Sequence, residues 1–187
     1  MKQNQTEKFV YSIDSEDKIH FISDTWVTFA IENDAKNLTQ TNVIGSSIWD
    51  HIASEEVRYL YKKIFSKLRA VNTELILPFR CDSPEVIRHM ELTMRSKPAN
   101  GIEMEGRLIR KIQRDPVRLL IGNVDRSNEV IRICSVCRKI MMRHGDWVEV
   151  ENAVTQLRIF TKPRLPKLEE AICTSCKTLL ENAANDH

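Results

Sequence analysis

The stretch Cys134-Ser135-Val136-Cys137 is followed, after 35 residues, by a second stretch of the same form, Cys173-Thr174-Ser175-Cys176. A two-residue spacer lets the chain turn so that both sulfurs of a pair face one point, about 2.3 Å from a zinc ion. Two such pairs leave no open coordination position, which is typical of a structural zinc site rather than a catalytic one. The alternatives are two disulfides or a chance spacing. The predicted zinc ligands are Cys134, Cys137, Cys173 and Cys176.

The composition of the 187-residue chain is that of a globular protein, with 42% hydrophobic and 29% charged residues. Residues 1–8 are polar and lack the apolar core of a signal peptide. No stretch approaches the roughly 20 apolar residues that a membrane span needs. We therefore expect a soluble, cytoplasmic protein without a membrane partner. In a reducing compartment, paired cysteines favour metal binding over disulfides.

Charge is spread evenly along the chain, whose net charge is +2. Residues 129–187 hold nine basic and eight acidic side chains, and residues 1–128 hold nineteen and eighteen. Neither part is a basic block of the kind that follows a phosphate backbone. We therefore do not expect nucleic acid as a partner.

The order of the predicted elements indicates an α+β fold. Two short β-favouring runs, 9–13 and 19–22, flank a polar turn and predict a hairpin. After further short helical segments, a long amphipathic helix is predicted to begin after Ser54, its N-cap. Strand-like segments within 74–112 predict a meander of three antiparallel strands, with Pro78 typical of an edge. We expect a five-stranded antiparallel sheet with helices on one face.

Residues 9–120 resemble the PAS family of small α/β sensor and interaction domains. The resemblance rests on the element order, the long helix, Ile19-His20-Phe21-Ile22-Ser23-Asp24-Thr25-Trp26 at the entry to the first helix, and Val43-Ile44-Gly45 ahead of Trp49. The chain is most similar to a bacterial PAS subgroup with an Arg80-Cys81-Asp82-Ser83-Pro84 turn, whose members can carry a C-terminal C-x-x-C element. The resemblance implies a PAS-like five-stranded sheet and a role in signal transduction.

The composition along the chain predicts four parts. They are a polar tail (1–8), a PAS-like domain (9–122), a linker (123–129) and a zinc-binding unit (130–187). The last part is small and has few apolar residues, so we expect the metal to form its core. Binding of zinc by thiolates supplies on the order of 10–16 kcal/mol of apparent free energy. Helical spacing within this unit falls at 147–157 and 174–184.

Five aromatic residues of the PAS-like segment are candidates for lining a ligand cavity, although a close-packed core would use the same residues. They are Trp26, Phe29, Trp49, Tyr61 and Phe65. Among the histidines, His51 is the best candidate for a haem ligand, but a lone histidine is no haem signature. The identity of any ligand is not indicated by these residues.

Two further features have competing interpretations. Cys81 is either a redox-reactive thiol, with Arg80 lowering its pKa, or a small residue of a turn. A basic run near the end of the predicted meander is either a phosphate-contacting strand or the solvated face of an edge strand. The run consists of Arg107, Arg110, Lys111, Arg114 and Arg118.

The main hypothesis is a non-enzymatic sensory or protein-interaction module with a structural zinc, acting with a protein partner or as a homodimer. No phosphate-binding glycine loop, Ser/His/Asp grouping or H-E-x-x-H motif is present, so we expect no enzymatic activity. One alternative is a nucleic-acid-binding regulator that reads DNA with Arg138, Lys139 and Arg143. Another is a redox switch that uses Cys81 or the cysteine pairs.

Overall fold

The computed structural model describes residues 8–32, 39–122 and 124–185. Its first sheet consists of β1 (Lys8–Ile13), β2 (Ile19–Ile22), β3 (Glu74–Arg80), β4 (Val86–Lys97) and β5 (Gly101–Gln113). The strands lie in the order β2-β1-β5-β4-β3, and every neighbouring pair is antiparallel. The predicted five-stranded antiparallel sheet is confirmed. The predicted polar tail lies outside the described residues, except for Lys8.

Alternation of side chains decides which face of the sheet is buried. In β4, Met90, Leu92 and Met94 are buried, and the residues between them are half-buried. Leu92 pairs with Gly106 of β5. A Cβ atom on Gly106 would lie 2.2 Å from the Phe9 ring, so only glycine leaves room for that ring on the inner face.

Helices cover this inner face. They are α1 (Asp24–Glu32), α2 (Gln40–Val43) and α3 (Glu55–Val71), with a 3-10 turn at Ile48–His51. The predicted long helix is confirmed as α3. At its start the Ser54 hydroxyl accepts a hydrogen bond from the Val57 amide, as an N-cap does. At its end Asn72 has a left-handed conformation. The buried face of α3 consists of Val57, Leu60, Ile64, Phe65 and Leu68. No helix in the described part of the chain is long and apolar enough to cross a membrane.

A second, smaller sheet follows. Its strands are β6 (Arg126–Cys134), β7 (Ile140–Met141), β8 (Trp147–Val148) and β9 (Leu165–Ala171), in the order β8-β7-β6-β9, with β6 and β9 parallel. The helices of this part are α4 (Val150–Gln156) and α5 (Thr174–Asn185). The helix predicted over 174–184 is confirmed as α5. The helix predicted over 147–157 is wrong at its start, because Trp147 pairs with Met141 in the sheet.

The segment between the two sheets is fastened to its surroundings. Strand β6 begins at Arg126, inside the range that the sequence assigns to a linker. The Arg126 guanidinium donates hydrogen bonds to the carbonyls of Leu119 (3.2 Å), Ile121 (2.6 Å) and Pro166 (2.6 Å). These bonds tie the end of the first part to β9, so the connection does not behave as a free linker.

The cysteines lie in the core of the first sheet, contrary to the expectation that the metal forms the core of the C-terminal part. That part has its own apolar cluster, made of Val117, Leu119, Ile131, Ile133, Ile140, Val150, Ala153, Ile159 and Leu165. Three of the cysteines are instead buried with the inner face of the sheet and α3, and Cys137 packs against them. Helix α5 extends this contact, since the Lys67 ammonium donates to the Ala183 carbonyl at 2.9 Å. The cysteines therefore mark the junction of the two parts.

Candidate metal centre and adjoining cavity

The first cysteine pair lies on a tight turn at the end of β6. The amide of Cys134 donates to the carbonyl of Lys139 (2.8 Å), and the amide of Arg138 donates back to the carbonyl of Cys134 (3.0 Å). Arg138 has a φ of 63°, a left-handed conformation that reverses the chain directly after Cys137. The strand end and the turn together bring the two side chains of the pair to one place.

The second pair lies where β9 ends and α5 begins. Cys173 precedes the helix, and Cys176 lies in its first turn. The Cys176 amide donates to the Cys173 sulfur, and the Cys173 amide donates to the Cys134 sulfur, each at 3.5 Å. Amide donors and the positive end of a helix dipole both stabilise thiolate charge.

The four sulfurs form one cluster, which we call the cysteine cluster. All lie within 4.8 Å of one another, and the Cys137 and Cys173 sulfurs are 3.7 Å apart. Tetrahedral coordination with zinc–sulfur bonds of about 2.3 Å places sulfurs about 3.8 Å apart. A disulfide would hold them at about 2.05 Å, and every cysteine is free. The spacing fits a single metal ion bound by four sulfurs, with no position open for a substrate.

Charge in the cysteine cluster also fits a cation. Hydrogen bonds from the Cys137 and Cys176 thiols lower the pKa of Cys134. The hydrogen bond with Cys134 raises the pKa of Cys137 to about 12, and it raises the pKa of Cys176 as well. One thiolate therefore forms readily, and its negative charge opposes the next ionisation. A coordinated cation removes this opposition, because metal-bound thiols are deprotonated.

A cavity of about 310 Å³ lies beside the cysteine cluster, between the sheet and its helices. All five strands of the first sheet contribute to its lining, together with α1, α2, α3 and the 3-10 turn. The C-terminal part closes it with Ser135 and Val136, which stand between the first two cysteines, and with Glu170 of β9. The volume is at the lower end of the range of small-molecule sites.

Three of the five predicted cavity residues line this cavity, namely Trp26, Tyr61 and Phe65. Phe29 does not line the cavity but packs against Phe9, with the two ring centroids 4.7 Å apart. Strand alternation places Phe9 and Tyr11 on one face of β1, and this signal could have identified both as lining residues.

Trp49 and His51 flank the cavity in different ways. The Trp49 indole N–H donates to the Asp17 carboxylate at 2.9 Å, and the ring packs 5.4 Å from Phe65 without lining the cavity. His51 does line the cavity, and its Nε2 is 2.8 Å from the Ser46 hydroxyl. The Trp49 indole N–H and the His51 Nε2 are therefore already engaged within the protein.

Tyr11 and Tyr61 bring two hydroxyl groups to the lining of the cavity. Burial raises the pKa of Tyr61 to about 12, and burial and the nearby Tyr61 raise the pKa of Tyr11. Both phenols are therefore neutral hydrogen-bond donors near pH 7. Within the described ranges, neither hydroxyl has a hydrogen-bond partner. A bound molecule or water with acceptor atoms would give these hydroxyls hydrogen-bond partners.

A second junction, not predicted from the sequence, is built around Asp82, whose side chain is fully buried. Arg80 forms an ion pair with Asp82 and another with Glu149, at the start of α4. Arg114 lies 3.5 Å from the Asp82 carboxylate and 2.6 Å from that of Glu151 in α4. We call these five residues the Asp82 cluster. The sequence predicts only a turn at Asp82, because Asp-Ser-Pro is typical of turns.

One residue of the basic run has a structural role, and the other four are exposed to solvent. Arg114 is the exception to the predicted solvated face, since its side chain is 7% exposed and its guanidinium donates to the carbonyls of Ser83 and Pro84. The strand that carries the run is not an edge strand over its first half, because β5 lies between β1 and β4. Beyond Arg107, among the residues that the structure describes, it pairs with β4 alone.

Cys81 lies outside the cysteine cluster. Burial raises the pKa of its thiol, and the opposing influence of Arg88 and Arg138 is smaller. A reactive thiol requires a lowered pKa, so Cys81 fits the interpretation as a small, partly buried turn residue.

No family model and no curated protein matches this chain. Among solved structures, the PAS domain from Bordetella pertussis BvgS is similar, with 18% sequence identity over 56% of this chain and 72% of that chain. The TM-score of this match is 0.35. The PAS-like fold is therefore assigned on the strand order of the first sheet and the helices on its inner face.

Proposed function

We propose that the chain is a non-enzymatic sensory module of PAS type, which takes a small molecule in its cavity and carries a structural zinc on the cysteine cluster. The observation that carries this proposal is the position of the cavity, enclosed by sheet, helices and the turn between two cysteines. An apolar lining with a few convergent polar groups is typical of a ligand site. Four sulfurs without an open position favour a metal that holds structure.

The same proposal includes a partner and a compartment. A module that binds a ligand without transforming it needs a second protein to report the event, so we propose a protein partner in a signalling pathway, or a second copy of this chain. The unbridged cysteine pairs favour a reducing compartment such as the cytoplasm.

The alternative functions have less support. Arg138 forms an ion pair with Glu170 (3.1 Å), and the Lys139 ammonium lies 3.8 Å from Glu149, so two of the three cations proposed to read DNA already have acidic neighbours. Cys134, Cys173 and Cys176 are buried, which shields them from oxidants and argues against a redox switch.

Native mass spectrometry of the protein purified from cells tests the proposal, because it reports metal, retained ligand and subunit number together. We expect one zinc per chain, and a small molecule that leaves when the protein is denatured. The same measurement is made on the variant Cys173→Ser, which lacks one ligand and should contain less zinc. A folded protein with far less than one zinc per chain, and with thiols that titrate freely, would contradict the metal site.

A further inference from the structure

The wall of the cavity nearest the cysteines belongs to the metal-binding segments themselves. Ser135 and Val136 lie between the ligands Cys134 and Cys137, and Glu170 comes three residues before Cys173. We call Ser135, Val136 and Glu170 the cysteine wall. Its position therefore depends on how the two cysteine pairs are held relative to each other.

The cysteine wall is joined to both sheets. The Ser135 amide and hydroxyl donate to the Ala171 carbonyl, at 2.9 and 3.2 Å. The Arg80 amide of edge strand β3 donates to the Val136 carbonyl at 2.7 Å. Two chain segments, one leaving β6 and one leaving β9, thus meet at the cavity. Cysteines that share one ion would cross-link these segments, because each pair belongs to a different one.

The lining also selects a kind of occupant. Its surface is mainly aromatic and aliphatic, and it includes Tyr11 and Tyr61, whose phenolic hydroxyls have no hydrogen-bond partner among the described residues. Among the described lining residues, none is Lys or Arg, and the acidic one is Glu170. A carboxylate in this cavity would therefore meet no Lys or Arg and would lie with Glu170, whereas an uncharged aromatic molecule with an acceptor oxygen could accept from the hydroxyls.

We propose that metal binding at the cysteine cluster and binding of an uncharged, flat aromatic molecule in the cavity are positively coupled through the cysteine wall. This inference rests on the proposed ligand-binding function and adds its regulation. Coupling is reciprocal: if the metal-bound wall raises affinity for the molecule, the molecule must raise affinity for the metal by the same factor. The chain then responds to its ligand only when zinc is bound.

The first test uses 2-naphthol as a neutral fluorescent probe and 2-naphthoate as its charged match. We expect 2-naphthol to bind the zinc-loaded protein and to bind the zinc-stripped protein about tenfold more weakly, within the usual range of coupling between sites. We expect 2-naphthoate to bind weakly in both states. Equal binding of 2-naphthol with and without zinc would overturn the coupling while leaving the ligand cavity intact.

The second test avoids the stripped protein, which can lose its fold. Transfer of zinc from the folded protein to a chromogenic chelator is timed with and without saturating 2-naphthol. We expect several-fold slower transfer with 2-naphthol and no change with 2-naphthoate. An unchanged transfer rate under saturation would overturn the coupling, and failure of 2-naphthol to bind in any state would overturn both the coupling and the proposed ligand site.

Val136→Ala locates the coupling in the wall, because this side chain is 7% exposed and lines the cavity without binding metal. Its matched control is Val130→Ala, in β6 ahead of the first cysteine pair, which is 53% exposed and outside the lining. We expect the Val136 variant to keep its zinc and lose most of the effect of 2-naphthol on zinc transfer. The Val130 variant should behave as the unmodified protein, and an equal effect of both substitutions would contradict a role for the wall.

Discussion

The cysteine cluster and the Asp82 cluster both join the first sheet to the C-terminal part, and they balance buried charge in different ways. At Asp82, a buried carboxylate meets the guanidinium groups of Arg80 and Arg114 from its own chain. The cysteine cluster gathers four acids that need a cation from outside the chain before they ionise together. One junction is therefore complete when the chain folds, whereas the other depends on a supply of metal.

Loss of a sulfur should have the largest effect. Cys134→Ser removes a ligand whose side chain lies in the shared core, so we expect loss of the zinc and a decrease of about 5 kcal/mol or more in the free energy of unfolding. Metal analysis and urea unfolding measure the two effects. Cys81→Ser is the control, since Cys81 lies outside the cluster. It should lower the free energy of unfolding by about 1 kcal/mol and retain its zinc. Retention of a full zinc by Cys134→Ser would contradict the four-sulfur site.

Neutralising the carboxylate of the second junction should have the next largest effect. Asp82→Asn leaves two buried guanidinium groups without their shared anion, and we expect a loss of about 3 kcal/mol in the free energy of unfolding. Zinc should remain bound, in contrast to the cysteine variant. The exposed Asp115→Asn is the control and should change stability by less than about 0.5 kcal/mol. If Asp82→Asn also released zinc, the two junctions would not be independent.

The smallest effect is expected at the rim of the Asp82 cluster. Partial burial raises the pKa of Glu151, but hydrogen bonds, including one from Arg114, outweigh burial and lower the pKa below the usual 4.5. A group whose pKa is lower in the folded state stabilises the protein above its unfolded pKa, and this stabilisation is lost as the pH falls through the folded pKa.

Glu151→Gln should therefore cost less than about 1 kcal/mol at pH 7, because solvent screens a carboxylate that is 41% exposed. The difference between the variant and the unmodified protein should narrow as the solution is acidified. Urea unfolding at several pH values, with zinc content measured at each, follows this difference. A difference that grows in acid would show that Glu151 is not stabilised as an anion.

Local patterns explain why part of the fold could be predicted from the sequence. The α3 helix is encoded by three- and four-residue steps of apolar residues after the Ser54 cap, and these steps depend on nothing distant. The cysteine pairs are equally local, because the spacer within each pair already places two sulfurs together. The strand alternation of β4 follows the same principle.

Long-range pairing explains what the sequence did not show. The parallel pairing of β6 with β9 brings Cys134 beside Ala171, and no local signal specifies that register. The Asp82 cluster combines a turn, the end of a strand and the start of α4, each with an ordinary local interpretation of its own. The expectation that the metal forms the core of a separate unit missed an apolar cluster of the C-terminal part. That cluster also recruits Val117 and Leu119 from outside residues 130–187.

X-ray absorption at the zinc edge, on the folded protein as purified, tests the central claim most directly. The account predicts one zinc per chain surrounded by four sulfur atoms at about 2.3 Å, with no nitrogen or oxygen neighbour. Spectra showing fewer than four sulfurs, or a well-folded protein that contains no metal, would contradict it.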